Sequence, residues 1–216
     1  MTGRGKPRLP VPPGYAPPGY DAGVSRGPTI VILRGDITVQ DADAIVNAAN
    51  TALRPGGGVD GAITRAAGAE ALADRERVIR ERGDPPLPTG EAVATIGGDL
   101  AARWIIHTAG PVYRGAEDDA RLLESCHAAS LRLAAALSAG TVAFPAISCG
   151  VYGYPPEEAA PTALSAAMRA DTPMEEVRFV LFDEGMERIF RRAMTREAER
   201  HGWRTDPEGR FEPPLG

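Results

Sequence analysis

Six short apolar runs, rich in β-branched residues and separated by stretches with helical spacing, constrain this chain more than any other feature. They are Thr29–Leu33, Ala44–Val46, Ala92–Ile96, Trp104–Ile106, Thr141–Phe144 and Val177–Phe182. Runs this short and this continuously apolar point to strands buried on both faces of a sheet. The stretches between them predict helices. Asp60 to about Arg82 carries Ala, Leu and Ile at helical intervals and stops at Gly83. Glu117 to about Ser138 has Leu122, Leu123, Leu131 and Leu133 and stops at Gly140, a residue suited to a C-terminal cap. Pro156 to about Ala170 and Met186 to about His201 complete the set, with Pro161 expected to kink the former. Strands alternating with helices predict an α/β fold, a three-layer α/β/α sandwich around a central mixed, mostly parallel sheet. There is no internal repeat.

The 216 residues suffice for one substantial domain with tails. Residues 1–28 are crowded with proline and glycine and read as a flexible or partly extended arm, or as one packed on the domain through Tyr15 and Tyr20. Residues 29–203 form the predicted domain, and 204–216 read as a second loose tail. Apolar residues make up 43% and charged residues 25%, with no stretch near the roughly 20 apolar residues of a membrane span. The first ten residues have no apolar run behind their basic residues, as a secretory signal would. Cys126 and Cys149 form neither a disulfide framework nor a metal pattern, so a cytoplasmic protein without metal or cofactor is expected. The net charge of −5, with basic residues scattered apart from short runs such as Arg188, Arg191 and Arg192, argues against nucleic-acid binding through a basic face. An acidic protein that binds an anion must use backbone N–H groups from glycine-rich turns and helix N-termini.

Three loops carry that chemistry. In Gly35-Asp36-Ile37-Thr38, after the first strand, Asp36 either caps a turn or accepts a hydrogen bond from an exocyclic amine. The second loop pairs Asn47-Ala48-Ala49-Asn50 with Gly56-Gly57-Gly58-Val59-Asp60-Gly61-Ala62-Ile63. Two asparagines three apart, then three glycines and an aspartate opening a helix, are hard to explain as packing; the glycines allow close approach to a ligand. The third loop, Pro145 to Pro155, contains Ser148-Cys149-Gly150-Val151-Tyr152 directly after a strand and suits a phosphate cradle at the carboxyl edge of a sheet. A thiol enzyme using Cys149 with His107 or His127 is rejected, because nothing puts an imidazole beside the sulfur and His107 sits in an apolar run.

In order and spacing, these segments, with Ile106-His107-Thr108-Ala109-Gly110-Pro111, resemble the macrodomain family, most closely its MacroD-type branch of ADP-ribosyl-acceptor hydrolases and O-acetyl-ADP-ribose deacetylases. The resemblance runs from about Thr29 to about Phe190. It implies binding of ADP-ribose and of mono-ADP-ribosylated proteins, and hydrolysis of ADP-ribose esters on acidic side chains. Asp36 would hold the adenine amine, helped by the Ile37 N–H, and Phe182 would stack near adenine or belong to the core. Asn50 would contact the distal ribose, with Asn47 supporting its loop. Gly56, Gly57, Gly58 and Val59 would face Ser148, Cys149, Gly150, Val151 and Tyr152 across the diphosphate. Asp60 matches the acidic residue given a catalytic part, and a neighbouring diphosphate would raise its pKa and suit it to act as a base.

Three positions depart from the family pattern: Thr64 where the branch commonly has histidine, Pro55 at the start of the glycine run, and Cys149 where threonine is common. A hydroxyl cannot replace an imidazole in proton transfer, so Thr64 leaves room for a second reading, a module that binds ADP-ribose without turnover. A third reading, a phosphatase acting on ADP-ribose 1″-phosphate, uses the same pocket.

Overall fold

A computed structural model of the chain describes residues 27–83 and 86–214. The arm expected over 1–28 thus lies almost wholly outside the described residues. Eight strands form one sheet: β1 (Thr29–Arg34), β2 (Ala44–Ala49), β3 (Ala92–Ile96), β4 (Trp104–Ala109), β5 (Thr141–Phe144), β6 (Glu176–Leu181), β7 (Arg204–Thr205) and β8 (Phe211–Glu212). Their order is β3-β4-β2-β5-β6-β1-β8-β7. The five strands from β4 to β1 are parallel, while β3, β8 and the β7–β8 pair are antiparallel. The sheet is mixed and mostly parallel, as the apolar runs predict.

Alternation along the strands explains the layers. In β2, Ala44 and Val46 belong to a core shared with α2 (Glu117–Ala136), α3 (Pro156–Met168) and α4 (Glu184–His201). Ile45, one residue out of phase, belongs to the opposite core with α1 (Gly58–Glu81). Three helices therefore cover one face and α1 covers the other, so both faces are apolar. On the three-helix side Phe144, Phe179 and Phe190 pack in a chain of rings 5.8 and 5.5 Å apart. Pro161 lies inside α3, one turn from its start.

Two features differ from the expectation. Residues 204–214 are not a loose tail: Phe211 pairs with Ile30, is buried, and brings a short hairpin to the edge of the sheet. The first helix is not continuous either. Gly68 adopts φ 77° and ψ −174°, which breaks α1 into two segments.

Candidate functional site

The sheet opens where two parallel strands part. Strand β2 pairs with β5 only at Ala44–Val142 and Ile45–Ala143, whereas it stays paired with β4 as far as Ala49–Ala109. After β2 the chain turns away toward α1 and β3; after β5 it turns toward α3 and β6. Divergent connections at the carboxyl ends of parallel strands leave a crevice. Here it is a cleft of about 320 Å³. Asn50 and the Gly56–Asp60 loop line one wall, and Ser148, Gly150, Val151 and Tyr152 line the other. Its floor consists of small residues, Ala48, Ala49, Gly110 and Ala146. Gly110 and Ala146 were absent from the sequence-derived site. Gly110 is required by close approach, because a Cβ there would lie 2.3 Å from Ser148 Oγ.

Both walls offer N–H groups. Gly58 opens α1 with φ 58°, a left-handed conformation that glycine adopts without strain. The amides of Gly58, Val59 and Asp60 sit in the first turn, where no intrahelical acceptor exists. Opposite them, the amides of Gly150, Val151 and Tyr152 donate to no described residue. Two amides expected to serve the anion are occupied instead: Gly56 N–H donates to Asp60 Oδ2 at 2.7 Å, and Cys149 N–H to the Ala146 carbonyl at 3.2 Å. Cys149 does not line the cleft. Burial, together with the charge of Glu157, pushes its thiol up to about 12, which suits no nucleophile. Ser148 holds φ 66°, rare for a residue with a side chain, and its buried hydroxyl has no partner among the described residues.

Beneath the first wall lies a buried polar chain. Asn47, fully buried in β2, donates from Nδ2 to Asp60 Oδ1 at 2.6 Å and lies 3.0 Å from His107 Nδ1. A carboxylate accepts only, so the amide nitrogen is correctly assigned and His107 Nδ1 must accept. The proton of the neutral ring is then on Nε2, facing Thr95 Oγ1 at 2.9 Å. His107 is neutral, because burial, and then the charge of Arg75, press its pKa down to about 3 against the pull of Asp60.

Asp60 is buried and its carboxylate is crowded with donors. Besides Asn47 and Gly56, Arg75 reaches Oδ1 at 2.7 Å and Oδ2 at 3.3 Å. Burial alone would raise the pKa, but the Arg75 guanidinium, with the Asn47 and Gly56 hydrogen bonds, holds it below the usual 3.8. The protein's own groups thus favour the anion and make Asp60 a weaker base, and the rise expected from a neighbouring diphosphate would act against them. Asn50 is also engaged: Nδ2 donates to the Arg54 carbonyl at 2.6 Å and Oδ1 accepts from the Arg54 amide at 3.1 Å, which closes the loop on itself.

Asp36, Ile37 and Phe182 lie outside the cleft proper, past the ends of the paired strands β1 and β6. Asp36 Oδ1 caps a short 3₁₀ turn, Ile37–Val39, accepting from the Thr38 amide at 2.8 Å and its hydroxyl at 2.7 Å. Oδ2 meets no donor among the described residues. Ile37 is buried, and Phe182 is 87% exposed, which removes it from the core. Among the described residues, no three His, Cys, Asp or Glu side chains cluster as metal ligands, and no helix is long and apolar enough to cross a membrane.

Comparison with known proteins agrees with this geometry. The family model of the Macro domain matches residues 46–163. A Macro domain-containing protein of Streptomyces griseus is 54% identical over 161 residues, covering 74% of this chain and 90% of that protein. An O-acetyl-ADP-ribose deacetylase of Klebsiella pneumoniae is 49% identical over 167 residues, covering 76% and 94%. Among solved structures, the Oceanobacillus iheyensis macrodomain with ADP superposes with a TM-score of 0.76 at 39% identity, covering 81% of this chain and 94% of that one. The Trypanosoma brucei macrodomain in complex with ADP-ribose gives 0.66 at 34%, covering 76% and 68%.

Proposed function

The chain belongs to the Macro domain family, and on that premise we propose that it binds ADP-ribose and hydrolyses its esters, on acidic side chains of mono-ADP-ribosylated proteins and on O-acetyl-ADP-ribose. The observation that carries this reading is the cleft between two walls of undonated amides, with the Asp60 carboxylate at its inner end. The amides would hold the diphosphate, which is how a protein of net charge −5 takes up a dianion. The unpartnered Ser148 hydroxyl would donate to the same group. The distal ribose then falls toward Asn50 and Asp60, and adenine toward Asp36 Oδ2, the Ile37 amide and the exposed face of Phe182.

For an ester at the anomeric carbon, a fixed anion suits the chemistry better than a base does. When a glutamate ester leaves the anomeric carbon, the leaving group is a carboxylate and needs no proton. What develops is positive charge on the ribose, and a buried carboxylate in a low-dielectric wall stabilises it as the bond breaks. Water supplies the hydroxyl that completes the ribose and loses its proton to solvent. Asn50 would turn its amide from the Arg54 carbonyl to a ribose hydroxyl as substrate enters.

The test is release of ADP-ribose from a glutamate-linked protein and from O-acetyl-ADP-ribose. Asp60→Asn is a cleaner variant than Asp60→Ala, because it keeps an oxygen for the buried Arg75. Its turnover should fall about 10²–10³-fold, with affinity for free ADP-ribose changed far less. Equal release by both proteins would remove Asp60 from the reaction. Tight binding of ADP-ribose by a wild type that releases none would identify a reader module. Release of phosphate from ADP-ribose 1″-phosphate alone would identify a phosphatase.

A further inference from the structure

Arg75 is the least expected member of the site. Fifteen residues along a straight helix separate two side chains by roughly 22 Å, yet Arg75 Nη1 lies 2.7 Å from Asp60 Oδ1. The break at Gly68 makes this possible, because the second segment of α1 need not continue along the axis of the first. Both side chains are 4% exposed. Arg75 does not itself line the cleft and meets its wall through Asp60. It reaches both Asp60 oxygens, the Thr64 hydroxyl at 3.3 Å and the Arg54 carbonyl at 3.4 Å. Its contacts therefore lie on the far side of the glycine-rich wall and tie that wall's two ends together.

We propose that Arg75 is a positioning residue of this site: it holds the Asp60 carboxylate ionised and in one orientation, with Oδ2 on the Gly56 amide. The part that concerns turnover rests on the hydrolase reading above. The ionisable groups facing Asp60 are Arg75 from the second segment of α1 and, behind Asn47, His107 from β4. His107 is neutral, so Arg75 is the cation that balances the buried charge. Without it Asp60 would lie in the wall with two neutral donors, and burial would set its protonation. Thr64 completes the arrangement, since its short side chain leaves the guanidinium room to reach Asp60.

The experiment uses the full chain with Arg75→Gln and Arg75→Lys. It reads the carbon-13 titration of the Asp60 carboxyl, ADP-ribose affinity by calorimetry, and kcat and KM for ADP-ribose release as functions of pH. In the wild type the Asp60 signal should titrate below its ordinary value of 3.8, and kcat should have no acid limb above that value. In Arg75→Gln the titration should move above the ordinary value of 3.8, and kcat should acquire an acid limb at the same pH. At its optimum kcat should drop about tenfold or more, while KM changes less than about threefold. Arg75→Lys keeps the charge but loses the two-pronged contact. It should return the titration to the wild-type position and recover most of kcat. An unmoved Asp60 titration in Arg75→Gln would overturn the proposal. So would a kcat loss that is the same at every pH and is not restored by lysine, since that marks a merely structural role. If Arg75→Gln does not fold, Arg75→Lys decides: kcat should be about two- to threefold lower at unchanged KM, and unchanged kcat refutes the proposal. A wild type without turnover would fail the hydrolase reading alone, because the carboxyl titration still tests the hold of Arg75 on Asp60.

Discussion

At Asp36 one carboxylate oxygen takes both hydrogen bonds of the cap, so the capping role and the ligand role are compatible. Asp36→Ala should weaken ADP-ribose binding by about 1–3 kcal/mol, the usual loss when a polar partner is left unpaired. It should also cost about 0.5–2 kcal/mol of stability through the lost cap. Calorimetry beside urea unfolding separates the two, and an unchanged affinity would leave Asp36 as a cap alone. Position 64 illustrates how a neighbour decides what a residue can be. An imidazole placed there meets the guanidinium that now lies 3.3 Å from the Thr64 hydroxyl. Thr64→His should therefore destabilise the protein by about 1–3 kcal/mol through overpacking, measured by urea unfolding at neutral pH. Equal stability would mean that Arg75 moves aside without cost.

At the scale of elements, α1 owes its course to Gly68. A Cβ there would lie 2.3 Å from Asp99 Oδ2, on a backbone with φ 77° that side chains rarely adopt. Gly68→Ala should lower stability by about 1–3 kcal/mol and pull Arg75 away from Asp60, which thermal unfolding and the Asp60 carboxyl titration would both register. A variant with wild-type stability and titration would show that the second segment of α1 is held by its own packing. The same element shows where sequence reading stops. Apolar spacing continues from Asp60 to Arg82 without interruption, and a glycine inside a helical pattern is tolerated, so nothing in that stretch announces a break. Arg75, among alternating charges in Asp74-Arg75-Glu76-Arg77, looks like an exposed helix residue. The terminal hairpin escaped for another reason: two-residue strands are too short to show a period. The cleft walls were legible because loops that hold a ligand with backbone groups leave glycines and asparagines behind them. The polar chain under them joins β2, α1, β3 and β4, which are far apart in sequence, and no local pattern records such a meeting.

At the scale of the whole molecule, two buried histidines tie the fold to pH. His107 is held neutral in the polar chain, with its pKa near 3. His127 lies in the three-helix core with its ring stacked on Phe144 at 5.2 Å. There burial presses its pKa to about 4, only partly offset by the hydrogen bond from its Nδ1–H to the Leu123 carbonyl. Its Nε2 has no partner among the described residues, so a proton there would be a bare charge in an apolar core. Both pKa values are depressed from 6.5, so in the acid range the unfolded chain binds protons that the folded protein does not. Stability then rises with pH: the contribution is fully present above about pH 6.5 and is lost as pH falls toward the folded-state values. Asp60 acts in the same direction lower down, its contribution present above its ordinary value and lost as pH falls through the depressed one. Each histidine contributes a slope of up to about 1.4 kcal/mol per pH unit, so the pair should give about 2–3 kcal/mol per unit between pH 5.5 and 4.5. Urea unfolding at pH 7.5, 5.5 and 4.5 measures it. His127→Leu removes one site while keeping an apolar filler and should roughly halve the slope, with a smaller change at pH 7.5. A stability that stays flat from pH 7.5 to 4.5 would mean that both imidazoles accept protons in the folded state, and the buried, neutral assignment of His107 on which the Asn47–Asp60 geometry depends would fall with it.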